Sequence, residues 1–348
     1  MKILKYLLIF IPVSIIFEAA GIDAKWIFLA SALSIIPLAG ILGTSTEEIS
    51  AFTGPRIGGF LNATFGNATE LIISFFALKE GLFSVVKASI AGSVIGNILL
   101  VLGASMLAGG FKHKTQKFNK NAVEVSSSML LFSVIGLCIP AIFMHTVKPE
   151  LLNTSRYELV SVGTASLMLI IYICGLYFSF HTHKDLYGTQ HEEAAEAKWS
   201  LKKSVAVLIL ATIAIAVESE FLVSSVEPMT KSIGISEFFI GIILIPIIGN
   251  AAEHSTALLM ALKNKMDVSV EIAVGSSLQI ILFVTPVLIF LSLLFKPMDI
   301  IFHPFELASL VVAVLIANKV SGDGESNWLE GLQLVAVYVL IALSFLIL

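Results

Sequence analysis

Charge is what this sequence has least of. Only 13% of its 348 residues are Asp, Glu, Lys or Arg, about half the ~25% usual for soluble globular domains. The shortfall runs along the whole chain, and 57% of the residues are hydrophobic, which excludes an ordinary soluble domain. The formal net charge of −4 leaves no basic surface for a phosphate backbone, so no nucleic-acid partner is expected. Cysteine is almost missing. Cys138 and Cys174 sit inside apolar runs, fit no metal spacing and read as small core residues. Without a thiolate or histidine cluster, a soft transition-metal site is disfavoured. Residues 250–254, Asn-Ala-Ala-Glu-His, lack the first histidine of an inverted zinc-protease motif. With no phosphate-binding loop and no nucleophile elbow either, neither an enzyme nor a bound cofactor is expected.

What the chain does have is long apolar runs. Eleven recur, over roughly 3–19, 25–43, 58–78, 85–110, 122–145, 157–181, 202–223, 236–262, 267–295, 300–318 and 328–348. Most approach or exceed the ~20 residues that cross a bilayer as a helix. The first run follows Lys2 and Lys5 like a signal peptide, but without a fitting small-residue cleavage site it reads as a retained helix.

One phrase is written twice in these runs. Residues 66–70 are Gly-Asn-Ala-Thr-Glu and residues 249–253 are Gly-Asn-Ala-Ala-Glu; a Gly-Ser pair follows each, at 92–93 and 275–276, and both motifs repeat at an offset of 183 positions. The predicted fold is therefore an all-α membrane protein of eleven transmembrane helices. An extra N-terminal helix occupies 1–22. Two five-helix repeats, 23–180 and 201–348, are joined by an acidic cytoplasmic linker helix, 181–200. An odd number of helices per repeat makes the second copy inverted relative to the first. With the N-terminus in the cytoplasm, 14 of the 21 lysines and arginines fall inside, so the positive-inside rule predicts a multi-pass cell-membrane protein with its C-terminus external.

A carboxylate inside a membrane helix is costly and points to function. On a helix, Asn67, Glu70 and Ser74 share a face, as do Asn250, Glu253 and Ala257; in the partner runs Ser93 pairs with Asn97 and Ser276 with Gln279. Apart from Ala257, each side chain offers oxygen, and hard cations such as calcium take 6–8 oxygen ligands. Gly66, Gly249 and Pro246 weaken the helices before the glutamates and would free backbone carbonyls there. Gly103 and Pro286 occupy equivalent positions and predict a kink in each partner run. The plain alternative for the glutamates is a protonated hydrogen bond between helices. His254 is either a packed neutral histidine or a proton-handling neighbour. Glu47, Glu48, Glu218 and Glu220 near span ends are interfacial residues or acidic mouths, and Glu18 is interfacial. In the linker, His181, His183 and His191 have no recognised metal spacing, and Glu192, Glu193 and Glu196 suit a solvated helix.

The two phrases, each followed by a Gly-Ser run, resemble the α-repeats of the cation/proton exchanger (CAX) family of calcium antiporters, and the likeness covers nearly the whole chain. It implies exchange of cytoplasmic calcium for external protons, with Glu70 and Glu253 as central carboxylates. Asn67, Asn250, Ser93, Ser276, Asn97 and Gln279 would line the metal site, and His254 fits the proton-coupled branch better than the sodium-coupled one. Lacking a long N-terminal extension, the chain resembles prokaryotic members. The partners implied are calcium, protons and the bilayer, and a homo-oligomer is an open option.

The coupling has a charge argument of its own. Two carboxylates beside one Ca²⁺ carry no net charge, and neither do two protonated carboxyls. Two bare carboxylates carry −2, which burial opposes. Calcium or protons can cross, and the empty site cannot. A cation channel using the same glutamates and a sodium-coupled exchanger are the rival readings, with an intramembrane metalloenzyme third.

Overall fold

The computed structural model describes residues 4–147, 154–183, 186 and 197–347, nearly all helical. In hydrocarbon a helix satisfies every backbone polar group within itself, which is why apolar runs of this length take that form. A 3₁₀ turn, Leu4–Ile9, leads into α1 (Phe10–Ala19). α2 (Ala24–Phe65) starts at Asp23, whose carboxylate accepts the Lys25 N–H at 3.1 Å. That bond, with the Lys25 ammonium beside it, holds Asp23 below the usual carboxylate range. Helical backbone is continuous over α2, yet Ser50 Oγ donates to the Gly58 carbonyl at 3.3 Å. Eight residues of straight helix span about 12 Å, so the chain doubles back between them. The stretch Ala24–Thr53 is long and apolar enough to cross a membrane, and 58–65 lead on toward α3 (Ala68–Lys79).

The remaining helices are α4 (Phe83–Ile95), α5 (Leu102–His113), α6 (Lys120–Thr146), α7 (Thr154–Tyr177), α8 (Leu201–Ser224), α9 (Val226–Ile233), α10 (Glu237–Phe239), α11 (Ile245–Gly249), α12 (Ala251–Leu262), α13 (Met266–Gln279), α14 (Thr285–Ser292), α15 (Pro304–Val320) and α16 (Trp328–Ile347). Among the described residues seven helices are long and apolar enough to cross a membrane. A broken pair bent by 59°, Glu237–Gly249 with Ala251–Leu262, adds an eighth. α1, α3 and α15 are shorter.

π-helical turns replace simple kinks. They lie at Gly96–Val101 between α4 and α5 and at Ile280–Val284 between α13 and α14, and Asn97 and Ile280 stand at the repeat's own 183-residue offset. A third, Ile240–Leu244, links α10 to α11. Gly103, where a kink was expected, lies in α5 two residues after the π turn. Gly103 instead lets α16 come close: a Cβ there would lie 2.9 Å from Leu334 Cβ and 3.0 Å from the Gly331 carbonyl.

The chain gathers into two compact units, each drawing on both halves of the sequence. One comprises Met1–Val86 with Thr189–Glu253, the other Lys87–Gly188 with His254–Ile347. In the first, Leu38 and Leu42 of α2, Ala68 of α3, and Ala211 and Ile215 of α8 form one apolar core. In the second, α5 crosses α16, and a short antiparallel ribbon, β1 (Thr115–Lys117) with β2 (Glu325–Asn327), joins two interhelical loops at one end. This ribbon is absent from the all-helix expectation. Gly324, at φ +83°, makes the tight turn that enters β2. At the same end the Gln116 amide donates to the Ala261 carbonyl at 2.9 Å and to Asn264 at 2.9 Å.

Candidate ion-binding site

The repeated phrase builds the same local device twice. α2 runs out at Gly66, and Asn67 (φ −104°, ψ 25°) precedes α3. α11 runs out at Gly249, and Asn250 (φ −90°, ψ 5°) precedes α12. Both asparagines leave the helical region for the bridge region near ψ 0°, so each break falls on the same residue of the phrase. Each glutamate then sits third in its new helix, in the first turn. Half-helix N-termini present unsatisfied N–H groups and a positive dipole end, while the interrupted strand of helix exposes carbonyls. Asn250 binds back across its own break: its backbone N–H and its Nδ2 both donate to the Pro246 carbonyl at 3.0 Å.

Glutamate third in a helix is common as a cap, and two in this chain serve that way. Glu306 accepts the His303 N–H at 2.6 Å, and Glu330 accepts the Asn327 N–H at 3.1 Å. Glu70 differs. It is 5% exposed, and its Oε2 is buried without a hydrogen-bond partner among the described residues. Its carboxyl is near enough to Glu253 for the two to repel each other when both are charged, and among the described residues no cation acts on it. Within the first unit, then, the two glutamates of the repeat are brought together. The geometry also explains Gly249. A Cβ there would stand 3.0 Å from Glu70 Oε1 and 3.3 Å from its Cδ. The glycine of the second phrase makes room for the carboxylate of the first.

The second unit carries the other candidates. Asn97 Nδ2 donates to Ser276 Oγ at 3.1 Å, and Asn97 Oδ1 lies 3.2 Å from His254 Nε2. Since Oδ1 can only accept, His254 Nε2 is the donor in this contact. One residue of the first repeat thus bridges two of the second. The helical wheel alone places His254 about 100° from its neighbour Glu253 and gives no hint of this contact. Ser93 is buried and Gln279 half-buried, at the last position of α13 before the π turn.

The acidic residues near span ends divide. Glu48 Oε2 accepts the N–H groups of Lys198 and Trp199 at 2.8 and 2.9 Å, a clamp on the chain entering α8. Glu220 pairs with Lys79 at 3.5 Å. Glu218 is no interfacial residue: it is fully buried, and Ser14 bonds it at 2.7 Å. In the linker, His181 packs on Tyr177 and His183 stacks on Phe178. His191, Glu192, Glu193 and Glu196 lie outside the described residues.

Fold and site together define a polytopic helical membrane protein that carries paired acidic residues at broken helices. The chain belongs to the sodium/calcium exchanger protein family, which it matches over residues 24–181 and 203–347. It is 46% identical to a Ca²⁺/H⁺ antiporter of Aphanothece halophytica, over 97% of this chain and 95% of that one. It is also 46% identical to the Ca²⁺/H⁺ antiporter ChaA of Bacillus subtilis (strain 168), over 97% of each. Among solved structures, native YfkE superposes with a TM-score of 0.87 at 41% identity, covering 99% of this chain and 100% of that one.

Proposed function

We propose that this protein exchanges cytoplasmic calcium for external protons by alternating access, with Glu70 and Glu253 as the carboxylates that take either one Ca²⁺ or two protons. The observation that carries the reading is the pair itself, Glu70 buried and Glu253 half-buried. Two acidic side chains from equivalent positions of a repeat approach each other with no lysine, arginine or histidine among the described residues acting on Glu70. Such a pair needs a cation or protons whenever it is buried. Asn67, Asn250, Ser93, Asn97, Ser276 and Gln279 are proposed as further oxygen donors, and His254 as a proton-handling neighbour. The antiporter relatives support the same pairing of ions.

The proposed topology is eleven spans, an extra helix and two inverted five-helix repeats, with the N-terminus cytoplasmic and the C-terminus external. Loop pairing supports it. The ion pairs Lys79–Glu220 and Lys87–Asp299 involve residues assigned outside. The β1–β2 ribbon joins loops assigned inside.

The test uses purified protein in sealed liposomes with no membrane potential. An outward calcium gradient should drive protons inward, and reversing an imposed pH gradient should reverse calcium flow. Calcium movement without proton counterflow would convict the channel reading, and dependence on sodium the sodium-coupled one.

A further inference from the structure

Positive charge and exposed aromatic surface meet at one end of the second unit. Lys112, Lys114, Lys117 and Lys120 crowd into nine residues at the end of the apolar stretch Phe83–His113. A lysine cluster beside a membrane span attracts anionic lipid. Loops 112–120, 263–267 and 319–330 are joined here by the β1–β2 ribbon and by the Gln116–Asn264 and Asn119–Asp267 bonds. Together they carry seven lysines against four carboxylates.

Several of these charges are already engaged. Lys112 donates to the Leu262 carbonyl at 2.9 Å, and Lys117 pairs with Glu325 at 3.1 Å. Glu330 accepts the Asn327 N–H, and Asp323 accepts the Glu325 N–H at 3.0 Å. Lys114 is exposed and makes no ion pair among the described residues. Its backbone is held on both sides. α5 ends one residue before it, β1 begins one residue after it, and it turns the chain between them at φ 58°, a conformation that non-glycine residues rarely adopt.

Beside this ammonium lies a groove of about 570 Å³ with Phe111, Trp328 and Leu329 as its apolar wall. A Cβ on Gly110 would run into the Trp328 backbone, so the last turn of α5 lies close against the first turn of α16. That approach stacks the Phe111 and Trp328 rings at 5.7 Å, 11° from parallel. Even so, Phe111 is 70% exposed and Trp328 43%. Both stand at ends of stretches long and apolar enough to cross a membrane, and aromatics at span ends sit at the headgroup level of a bilayer. From the groove an apolar track runs along α16: Leu329, Leu332, Ala336, Leu340 and Leu343, spaced by three or four residues, are all exposed. The complementary occupant is anionic at Lys114 and apolar along α16.

We propose that this groove holds an anionic phospholipid, with its phosphate at Lys114 and an acyl chain passing Phe111 and Trp328 onto the exposed face of α16. A charged end and an oily end select an amphiphile over a soluble anion, which would leave the apolar track unused. By touching the last turn of α5 and the first turn of α16 together, the lipid braces the crossing of those two helices. The inference needs only that these helices span a bilayer, and it stands whether or not calcium exchange is the activity.

The test uses the full-length chain with Trp26→Phe and Trp199→Phe, which leaves Trp328 as the sole tryptophan. In phosphatidylcholine liposomes, phosphatidylglycerol and phosphatidylcholine with brominated acyl chains are titrated as quenchers of its fluorescence. One lysine at a membrane surface gives about a fivefold preference for anionic lipid. Phosphatidylglycerol should therefore reach half-maximal quenching at about one-fifth of the mole fraction that phosphatidylcholine needs. Lys114→Gln should erase the difference. Lys319→Gln, which removes an exposed lysine from the same end but outside the groove, should keep it, and so should inorganic phosphate at matched ionic strength. Equal quenching by the two lipids would overturn the proposal. So would a preference that Lys319→Gln lowers as much as Lys114→Gln, which is general surface charge, or one that inorganic phosphate abolishes, which is a soluble-anion site. Little quenching by either lipid would mean that protein covers Trp328, and would overturn it too. If the tryptophan substitutions unfold the chain, thermal unfolding of the unsubstituted protein in detergent carries the comparison. Phosphatidylglycerol should raise the midpoint more than phosphatidylcholine does, and equal shifts would overturn the proposal.

Discussion

Gly249 has no side chain because Glu70 fills the space one would need. With Glu70 Oε1 3.0 Å from the Cβ position, alanine there must displace a buried carboxyl. Overpacking of this kind costs about 1–3 kcal/mol. Gly249→Ala should therefore lower the thermal unfolding midpoint and depress transport together, whereas Gly275→Ala, with nothing within 4 Å of its Cβ position, should do neither through crowding. The carboxylates allow a sharper separation. Glu70→Gln and Glu253→Gln keep size and hydrogen bonding but lose charge and titration, so each should reduce calcium uptake to background at normal protein level. Substantial proton-driven uptake by either variant would remove the central claim.

Among the elements, α5 and α16 depend on two small residues. Beyond the Gly103 approach, a Cβ on Gly331 would run into the backbone of Leu107 and Gly103. Backbones this close accept only glycine, a pattern typical of helix pairs in membranes. Gly331→Leu should separate the pair and lower stability by at least about 1–3 kcal/mol, read as a fall in thermal midpoint in detergent. An unchanged midpoint would mean the crossing contributes nothing to stability. Broken helices work by another route. At α11–α12 the bend is 59°, and Asn250 closes the end of α11 by donating its N–H and Nδ2 to the Pro246 carbonyl. In α13–α14, Pro286 follows a π turn in which Thr285 Oγ1 donates to the Ile280 carbonyl at 2.8 Å. The wider turn accommodates the proline's missing N–H.

For the whole molecule, the proposed competition between two ions for one pair of carboxylates predicts a pH response. Protonation consumes the groups calcium needs, so apparent calcium affinity on the cytoplasmic side should weaken as pH falls. External protons should speed calcium release by the same competition. Equilibrium calcium binding measured across a pH series checks the sign, and an affinity that is flat or strengthens with acidity would contradict a shared site. The effect should vanish in Glu70→Gln and Glu253→Gln, which separates it from general acid loosening of the protein.

Much of this was legible in the residues. The duplicated Gly-Asn-Ala-x-Glu phrase, its 183-residue offset and the charge-poor runs determined the membrane class, the helix breaks and the glutamate pair. They could do so because burying backbone and charge in hydrocarbon leaves a chain few options. Only the tertiary structure decided which residues meet. Hydropathy gives the length of a span but not the rotation of one helix against another. Hence Glu218 could be read as interfacial when it is buried against Ser14, Gly103 as a kink when it is a crossing point, and His254 as turned away when it reaches Asn97. The Asn97–His254 and Ser14–Glu218 contacts link residues 157 and 204 positions apart, and specific side-chain packing, to which hydropathy patterns are blind, selects them.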